Sequence, residues 1–246
     1  MKAIVTGHSR GLGEGIARAL LDQGVEVLGI ARHANPALRG MGGMREVALD
    51  LADAAALSAW LEGGELAAFL AGADSALLVN NAGIVQPVGA PGGQGASRLA
   101  LAVAVNVTAA LVLTDAFVAA TAGCGDRRVV HVSSGAGRAP YAGWSTYCAT
   151  KAALDMHARA VALEGVPGLA IASIAPGVID TAMQGEIRAT RQEDFPARDR
   201  FLALKRDCAL ADPGAAGAQL AAYVLGAHFG SVPLADLREV NQAPAR

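Results

Sequence analysis

The sequence of 246 residues predicts an α/β fold, a doubly wound domain with about seven parallel strands and helices on both faces of the sheet. Short β-branched runs, such as SALLVN near residues 75–80, have the composition of strands that are buried on both faces of a parallel sheet. Helical segments separate these runs, so strand and helix alternate along the chain. Because no Pro/Ser-rich linker or internal repeat interrupts this order, we expect one domain over residues 1–246.

Hydrophobic periodicity sets the order of the elements. A first helix is expected at about residues 11–23, and another begins near Ser145. The polar stretch at residues 180–208 is expected to form a lid over a substrate. The expected strands lie near residues 2–6, 25–30, 45–49, 75–80, 127–133, 169–175 and 231–237.

Composition and charge exclude several classes of function. The formal net charge of -2 provides no basic surface for nucleic acid. The three cysteines, Cys124, Cys148 and Cys208, are odd in number and lack CxxC spacing, so neither a disulfide framework nor a metal site is expected. This cysteine usage favours a reducing, cytoplasmic location. The opening residues MKAIVTG have the pattern of a strand that runs into a glycine turn, and they lack the features of a targeting segment.

One apolar stretch, at residues 99–120, raises the question of a membrane span. Asn106, Thr108, Thr114 and Asp115 interrupt it, and a polar group in hydrocarbon is costly. We therefore expect no membrane association. A long helix that is buried in the protein, or in an interface between subunits, accounts for the hydrophobicity.

The segment TGHSRGLG places Gly7, Gly11 and Gly13 between the first strand and the first helix. Glycine lets backbone amides approach a pyrophosphate closely, and the amino end of a helix supplies partial positive charge. An ordinary tight turn between strand and helix is the alternative. The spacing differs from the GxGxxG pattern of other dinucleotide-binding dehydrogenases.

TGHSRGLG resembles the TGxxxGxG fingerprint of the short-chain dehydrogenase/reductase family, and further signatures follow in the family order over nearly the whole chain. Each one falls just after a predicted strand or on the expected helix, as ligand sites in such sheets require. The resemblance implies a Rossmann-type fold, an NAD(P)-dependent oxidoreductase activity and a homodimer or homotetramer. The signatures are NNAG at residues 80–83, Asn106, Ser134, YxxxK at Tyr147 and Lys151, and PGVIDT at residues 176–181.

Tyr147 and Lys151 have the residue types and the spacing that proton transfer to a carbonyl oxygen needs. Tyrosine has a pKa of about 10, and a lysine four residues later on a helix lies on the same face. The Lys151 ammonium is therefore expected to lower the pKa of Tyr147. By resemblance, Tyr147 is the general acid and base, Lys151 also holds the nicotinamide ribose, Ser134 orients the substrate carbonyl, and Asn106 supports a water in a proton relay.

Other reactive side chains near the YxxxK motif are given lesser roles. Ser133 and Ser134 are neighbours, and on a strand only one of them can face the cofactor; the family spacing to the tyrosine selects Ser134. Tyr141 has no lysine four residues later, so it is expected to line or pack the loop. Cys148 is interpreted as a small buried hydrophobe, with a reactive thiol as the alternative. His131 is expected to be a core or interface histidine, and a catalytic base is the alternative.

Two arginines favour NADP(H) over NAD(H). Where NAD-selecting enzymes present a carboxylate after the second strand, this chain has Arg32, and Arg10 lies in the glycine turn. Guanidinium groups suit a 2′-phosphate, although Arg32 as a solvated loop residue is the alternative. Asp50 resembles the adenine contact of the family, or it caps a helix. The expected cofactor-binding residues are Gly7, Ser9, Arg10, Gly11, Leu12, Gly13, Arg32, Asp50, Leu51, Asn81, Ala82, Gly83, Tyr147, Lys151, Pro176, Gly177, Ile179 and Thr181.

The segments GWSTYCATKAALDM and PGVIDTAMQGEIRATRQEDF, followed by an Arg-Phe pair at residues 200–201, resemble the branch of the family that contains sepiapterin reductase and benzil reductase. That resemblance implies NADPH-dependent reduction of diketones or of dicarbonyl side chains. Tyr141, Trp144 and Met183 are expected to contact the substrate, although Trp144 has packing as its alternative. Asp236 is the candidate anchor for a pterin amino group, or it caps the last strand.

Three classes of function stay open at this point. The first is an NADPH-dependent carbonyl reductase acting on a small-molecule substrate. The second is a nucleotide-binding redox sensor without turnover, although such proteins usually lose the tyrosine or the lysine. The third is a dehydrogenase that works in the oxidising direction on an alcohol or steroid, and Arg10 and Arg32 argue against its dependence on NAD.

Overall fold

The sheet of the computed structural model, which describes residues 1–240, contains seven strands, all parallel. The strands are β1 (Lys2–Thr6), β2 (Glu26–Ala31), β3 (Met44–Ala48), β4 (Ser75–Asn80), β5 (Asp126–Val132), β6 (Leu169–Ala175) and β7 (Leu234–Asp236). Their order across the sheet is β3-β2-β1-β4-β5-β6-β7, which is the doubly wound arrangement. The predicted fold class is thus confirmed. The last strand is shorter than expected, and residues 241–246 of the predicted domain lie outside the described residues.

Helices cover both faces of the sheet. They are α1 (Gly11–Asp22), α2 (Ala54–Glu62), α3 (Glu65–Leu70), α4 (Ala96–Val103), α5 (Ala109–Ala120), α6 (Ser145–Glu164), α7 (Ala182–Ala189), α8 (Arg198–Arg206), α9 (Pro213–Leu225) and α10 (Leu237–Val240). A π-helical turn at Ala104–Thr108 joins α4 to α5, and a 3-10 turn, Gly135–Gly137, follows β5.

Side chains of β1 alternate between two hydrophobic layers, as the two-residue period of a strand requires. Val5 packs with α1 and α9 on one face, whereas Ile4 packs with α2, α3 and α5 on the other. β4 alternates in the same way. Since both faces are covered, the strands are apolar throughout, which explains why their sequences show β-branched runs rather than alternation with polar residues.

Helices α1 and α9 pack at unusually short range because glycines face each other. A Cβ atom on Gly15 would collide with the carbonyl oxygen of Pro213, and one on Gly217 would collide with the backbone of Gly15. This contact fixes α1, which carries the glycine turn at its amino end, against the helix that follows the lid segment (residues 180–208).

The apolar stretch forms one continuous helical segment, residues 96–120, through α4, the π turn and α5. By length and composition alone it is the one helix among residues 1–240 that is long enough to cross a membrane, and 39% of its apolar 18-residue window is buried inside the chain. Leu113 and Phe117 lie in the core against the sheet. The segment therefore contributes core packing, as a buried helix of a globular domain does.

Candidate active site

A cavity of about 910 Å³ runs along the carboxyl ends of the strands. The glycine turn after β1, the segments after β2 to β6 and the lid segment all contribute to its walls. Every residue predicted to bind the cofactor lines this cavity, from Gly7 in the glycine turn to Thr181 after β6. This placement agrees with the rule that ligands of such sheets bind beyond the carboxyl ends of the strands.

The glycine turn is closed by backbone contacts that admit only glycine. Gly7 and Gly11 have φ angles of 69° and 61°, in the left-handed region. A Cβ atom on Gly13 would collide with the carbonyl oxygen of Gly7 and lie 2.5 Å from Nδ2 of Asn81. Asn81 also donates from Nδ2 to the carbonyl oxygen of Thr6, at 2.8 Å. The turn is therefore pressed against the loop after β4.

His8, within the same turn, points into the protein beneath β2. It is fully buried, and a Cβ atom on Gly29 would lie 2.5 Å from its ring. Its Nε2 lies 2.8 Å from Oε1 of Glu46 on β3, and that oxygen also accepts a hydrogen bond from the backbone N–H of Asn35. Partial burial raises the pKa of Glu46, but the hydrogen bonds from Asn35 and His8 outweigh it and hold that pKa below its usual value.

Arg10 and Arg32 lie on the cavity wall with exposed side chains. Neither forms an ion pair or hydrogen bond through its side chain with residues 1–240, and the Arg10 side chain does not cap α1. Both guanidinium groups and the amino end of α1 are therefore free to meet phosphate groups, so a nicotinamide dinucleotide fits this donor set.

Asp50 also lines the cavity, where it accepts a hydrogen bond at 3.0 Å from the backbone N–H of Ala52. The helix-cap alternative for Asp50 is wrong, because Asp53 caps α2 through the N–H of Ala56. The hydrogen bond with Ala52 forms a local turn at the cavity wall. The contact of Asp50 with adenine stays a prediction.

Tyr147 and Lys151 lie one turn apart on α6 and face the cavity together. The Lys151 Nζ is 5.7 Å from the centre of the Tyr147 ring, and it donates a 2.7 Å hydrogen bond to the carbonyl oxygen of Val132 at the end of β5. A Cβ atom on Gly83 would lie 3.5 Å from the same Nζ. The strand end thus fixes the ammonium beside the tyrosine.

Burial changes the pKa values of both groups. It raises the pKa of Tyr147 to about 12, against which a hydrogen bond with Ser134 acts in the lowering direction. Burial also lowers the pKa of Lys151 to about 8, while the Asp155 carboxylate acts to raise it. The expectation of a lowered tyrosine pKa is therefore wrong, because the cost of burying a phenolate exceeds the lowering effect of the Ser134 hydrogen bond.

Ser133 and Ser134 both line the cavity. β5 ends at Val132, so the strand alternation that was expected to separate the two serines does not extend to them, and the choice of Ser134 as the functional serine stays a prediction. Ser134 accepts a 3.2 Å hydrogen bond from the backbone of Ala136 in addition to its bond with Tyr147. Ser133 Oγ is buried with no hydrogen-bond partner among residues 1–240.

Asn106 is the one predicted catalytic residue that does not line the cavity. The π turn places its side chain against the loop after NNAG, where Oδ1 accepts from the N–H of Ile84 and Nδ2 donates to the carbonyl oxygen of Ile84, both at 2.8 Å. Nδ2 also donates to Thr150 Oγ1 at 3.1 Å. Asn106 therefore joins this loop to α6, and its role in a proton relay stays a prediction.

His131 is a core residue, as expected. It is fully buried, with its ring nitrogens 3.2 Å from Asn80 Nδ2 and 2.9 Å from Nδ1 of His157. Burial lowers its pKa to about 3, and the positive potential of His157 and Lys151 acts in the same direction. A ring with so low a pKa is a weak base, and His131 does not line the cavity, so both observations disfavour the alternative of a catalytic base.

An aromatic cluster forms the substrate end of the cavity, which is the end where the substrate is predicted to bind. Trp144 stacks on Phe195 of the lid segment, with ring centres 4.4 Å apart, and lies 5.3 Å from both Tyr141 and Tyr147. A Cβ atom on Gly143 would collide with the carbonyl oxygen of Asp194, so the lid segment approaches this loop closely. The cluster is continuous from the predicted general acid to the lid.

Tyr141, Trp144 and Met183 line the cavity as predicted for substrate contacts, but Asp236 does not. The Asp236 carboxylate pairs with Arg238 at 2.6 Å and accepts its backbone N–H at 3.0 Å. The hydrogen bond from the Arg238 guanidinium holds the pKa of the Asp236 carboxyl below its usual value. The prediction that Asp236 lies in the substrate pocket is therefore corrected, because the ion pair holds its carboxylate behind Arg238.

Cys148 packs half-buried against the aromatic cluster, which agrees with its predicted packing role.

Sequence reasoning missed several residues that build the site. Arg200 and Arg238 line the cavity, and His8 and Glu46 support the glycine turn. Arg200 stands in the Arg-Phe pair that the resemblance singled out without giving it a role. A glycine inside the apolar strand β2, at residue 29, was a signal that a side chain approaches there.

The family model described as short chain dehydrogenase matches residues 1–192. A benzil reductase ((S)-benzoin forming) from Bacillus cereus is 38% identical over 221 residues, covering 85% of this chain and 88% of the relative. A sepiapterin reductase from Meriones unguiculatus is 33% identical over 235 residues and covers 88% of each.

Solved structures agree with these matches. A short-chain dehydrogenase/reductase from Burkholderia vietnamiensis is 45% identical and covers 97% of each chain, with a TM-score of 0.70. A short-chain dehydrogenase/reductase from Saccharomyces cerevisiae has a TM-score of 0.85 at 24% identity, covering 98% of each chain, and this likeness concerns the fold.

Proposed function

The chain belongs to the short-chain dehydrogenase/reductase family, whose members bind a nicotinamide cofactor, and from that premise we propose that it is an NADPH-dependent carbonyl reductase of ketones and diketones. The observation that carries this proposal is the convergence of Ser134, Tyr147 and Lys151 on one end of a cavity whose other end presents Arg10 and Arg32.

Each of the three residues at the chemical end has a role in reduction. Ser134 orients the carbonyl oxygen toward Tyr147, which donates its phenolic proton to that oxygen. Lys151, held by the Val132 carbonyl, then stabilises the phenolate that remains. When bound, the reduced nicotinamide supplies the hydride for the carbonyl carbon. The aromatic cluster around Trp144 excludes water from the reacting carbonyl.

The protonation state of Tyr147 is the one from which a reduction begins. At a pKa of about 12 the phenol is protonated at neutral pH and can act as an acid, whereas oxidation of an alcohol needs the phenolate. The presence of both Tyr147 and Lys151 also disfavours a redox sensor without turnover. The oxidising dehydrogenase is the second candidate, and a preference for alcohol substrates at neutral pH would favour it.

NADPH oxidation, followed by its absorbance, tests the proposed activity. The substrates are 1-phenyl-1,2-propanedione, benzil and sepiapterin, with a steroid panel for the competing function. We expect turnover of at least one diketone. Binding of NADPH without turnover of any carbonyl would contradict the proposal and favour the sensor.

Selection of NADP(H) is proposed from the two unpaired arginines. Arg32→Ala removes one guanidinium from the position of a 2′-phosphate, and a charge-assisted hydrogen bond of this kind contributes roughly 1.5–3 kcal/mol. We expect the dissociation constant for NADPH to rise by at least about tenfold and that for NADH to change little, measured by fluorescence titration. Equal losses for both cofactors would contradict this assignment.

A homo-oligomer through α4, α5 and α6 is a further part of the proposal. Leu101 and Val103 are each 45% exposed, and a groove between α4 and α6 includes Leu99, Val107 and Ala153. Burying such an apolar surface favours self-association. Light scattering of the purified protein measures the subunit number, and a monomer at micromolar concentration would contradict the proposed oligomer.

A cytoplasmic location is proposed from the three free cysteines and is tested by cell fractionation.

A further inference from the structure

Arg200, on α8 in the lid segment, lines the substrate end of the cavity with an exposed side chain. Its Nη1 donates to the hydroxyl oxygen of Tyr141 at 2.9 Å, and its guanidinium carbon lies 6.0 Å from the centre of that ring. These contacts use one of the five N–H donors of the guanidinium. They fix its plane near the aromatic cluster and leave donors for a ligand.

Three other basic groups near this end of the cavity form ion pairs, whereas Arg188 and Arg198 of the lid segment form none within residues 1–240 but do not line the cavity. Lys205 pairs with Asp180 at 2.5 Å, Arg206 with Asp207 at 2.7 Å, and Arg238 with Asp236 at 2.6 Å. Arg200 forms no ion pair within residues 1–240. It is therefore the cation at this end of the cavity whose charge no carboxylate of the described chain neutralises at contact distance.

One acidic group of the lid segment also lines the cavity. Glu186, on α7, lines the cavity with an exposed side chain and forms no ion pair with Arg200. Asp180 also lines the cavity, but Lys205 neutralises it. A ligand anion near Arg200 would thus gain attraction from the guanidinium and meet repulsion from Glu186, and the two effects can be separated by substitution.

A row of aromatic rings connects Arg200 to Tyr147. Tyr147 lies 5.3 Å from Trp144, which lies 5.3 Å from Tyr141, the residue that holds Arg200. A flat substrate along this row places its carbonyl at Tyr147 and its far substituent at Arg200. A para-substituted benzene ring is flat and rigid, and it is the spacer that we take between the carbonyl and the substituent.

On this geometry, and resting on the proposed carbonyl reductase function, we propose that Arg200 binds a carboxylate carried one aromatic ring away from the carbonyl that is reduced. The substrate class is aryl ketones and aryl diketones with a distal carboxylate. In the reaction the carbonyl carbon gains a hydride from NADPH and its oxygen gains the Tyr147 proton, while the carboxylate is unchanged. Arg200 is a specificity residue in this scheme, since it is remote from the reacting atoms.

The test compares two analogues of 1-phenyl-1,2-propanedione, one with a para carboxylate and one with a para carboxamide, which is neutral and of similar shape. The measured quantity is the ratio of their kcat/KM values. Arg200→Met is expected to lower this ratio roughly tenfold, as the loss of a charge-assisted hydrogen bond predicts. The change is expected in KM, because binding far from the reacting atoms is equal in the ground and transition states.

Matched variants separate this role from a general effect of the lid segment. Arg206→Met removes the same charge from the same helix at a residue outside the cavity, and is expected to leave the ratio unchanged. Glu186→Gln is expected to raise the ratio, and Arg200→Lys to restore part of it. Added salt is expected to lower the ratio for the unmodified protein more than for Arg200→Met.

Calorimetric titration of both compounds into the protein loaded with NADP⁺ measures binding without turnover. If no carbonyl is reduced but the carboxylate binds more tightly than the carboxamide in an Arg200-dependent way, the reductase function fails and the binding role of Arg200 stands. If both analogues are reduced and the ratio is the same in Arg200→Met and Arg206→Met, the role of Arg200 is overturned.

Discussion

At the cofactor end of the cavity backbone meets backbone, whereas at the substrate end aromatic and charged side chains meet one another. Gly13 packs on the carbonyl oxygen of Gly7, and no other residue type fits there. Trp144 stacks on Phe195, and exposed ion pairs such as Lys205 with Asp180 cover the lid segment. Exposed ion pairs contribute little stability, so most of the cohesion of the lid comes from its aromatic contacts.

This difference explains how one family can keep its cofactor while its substrates vary. A backbone contact tolerates few substitutions, because a single added Cβ atom causes a collision. A side-chain cluster tolerates many, as long as volume and apolar character are kept. Substitutions at the two ends should therefore have different sizes and different readouts.

The largest effect is expected where the two ends meet. Tyr147→Phe removes the phenolic proton and should reduce kcat for diketone reduction by about 10²–10⁴-fold, with NADPH affinity within a few fold. Stopped-flow or steady-state absorbance measures the rate, and fluorescence titration measures the affinity. Tyr223→Phe, on α9 outside the cavity, is the control and should keep full activity. Retention of activity by Tyr147→Phe would contradict its role as general acid.

Glycine-to-alanine substitutions compare the two ends directly. Gly13→Ala should destabilise the protein by roughly 1–3 kcal/mol and weaken NADPH binding, because its Cβ atom overlaps the Gly7 carbonyl. Gly185→Ala, in α7 of the lid segment, has open space around it and should stabilise by about 0.5–1 kcal/mol. Urea unfolding measures both. Equal changes in the free energy of unfolding for the two variants would show that backbone packing does not distinguish the two ends of the cavity.

Lys151 should make reduction depend on pH. Its pKa of about 8 means that it loses its charge as the pH rises through that value, and the phenolate formed at Tyr147 then lacks its positive neighbour. We expect kcat/KM for a neutral diketone to fall about tenfold between about pH 7 and pH 9. Lys151→Arg, which stays charged, should be slower but show no fall in this range. The same fall in that variant would assign the titration to another group.

The smallest effect is expected beneath the glycine turn. Glu46→Gln weakens the contacts with His8 and Asn35, and should cost about 1 kcal/mol of unfolding free energy at neutral pH. Because the folded pKa of Glu46 lies below its usual value, this stability is present above the unfolded pKa and is lost as the pH falls through the folded pKa. The difference between the two proteins should therefore shrink in acid. Glu26→Gln, on β2, is the control, and an equal loss there would contradict the prediction.

The sequence was informative wherever the residue type itself is dictated by the backbone or by the chemistry. Gly7, Gly13, Tyr147 and Lys151 fell where expected because a left-handed turn, a close approach and a proton transfer each accept few residue types. The strands were predictable because burial on both faces leaves continuous apolar runs.

What the sequence did not reveal depends on contacts between distant segments. Arg200 meets Tyr141 from 59 residues away, and His8 meets Glu46 from 38 residues away. The direction of the Tyr147 pKa shift also depends on burial by the lid and the loop before α6, which no local spacing reports. Asp236 was misplaced for a similar reason, because its ion pair with Arg238 is set by the path of the chain after β7.

The lid segment begins and ends at the same point of the fold. The N–H of Asp180 donates to the carbonyl oxygen of Ala211 at 2.9 Å, and the N–H of Ala211 donates to that of Val178 at the same distance. An insertion whose ends are tied together adds only about 0.6 kcal/mol of closure entropy for each doubling of its length. The chain between Asp180 and Ala211 can therefore be lengthened, shortened or exchanged as one unit. The sheet and the contact between α1 and α9 would stay in place. If Arg200 has the proposed role, exchanging this segment would exchange the preference for a charged substrate with it.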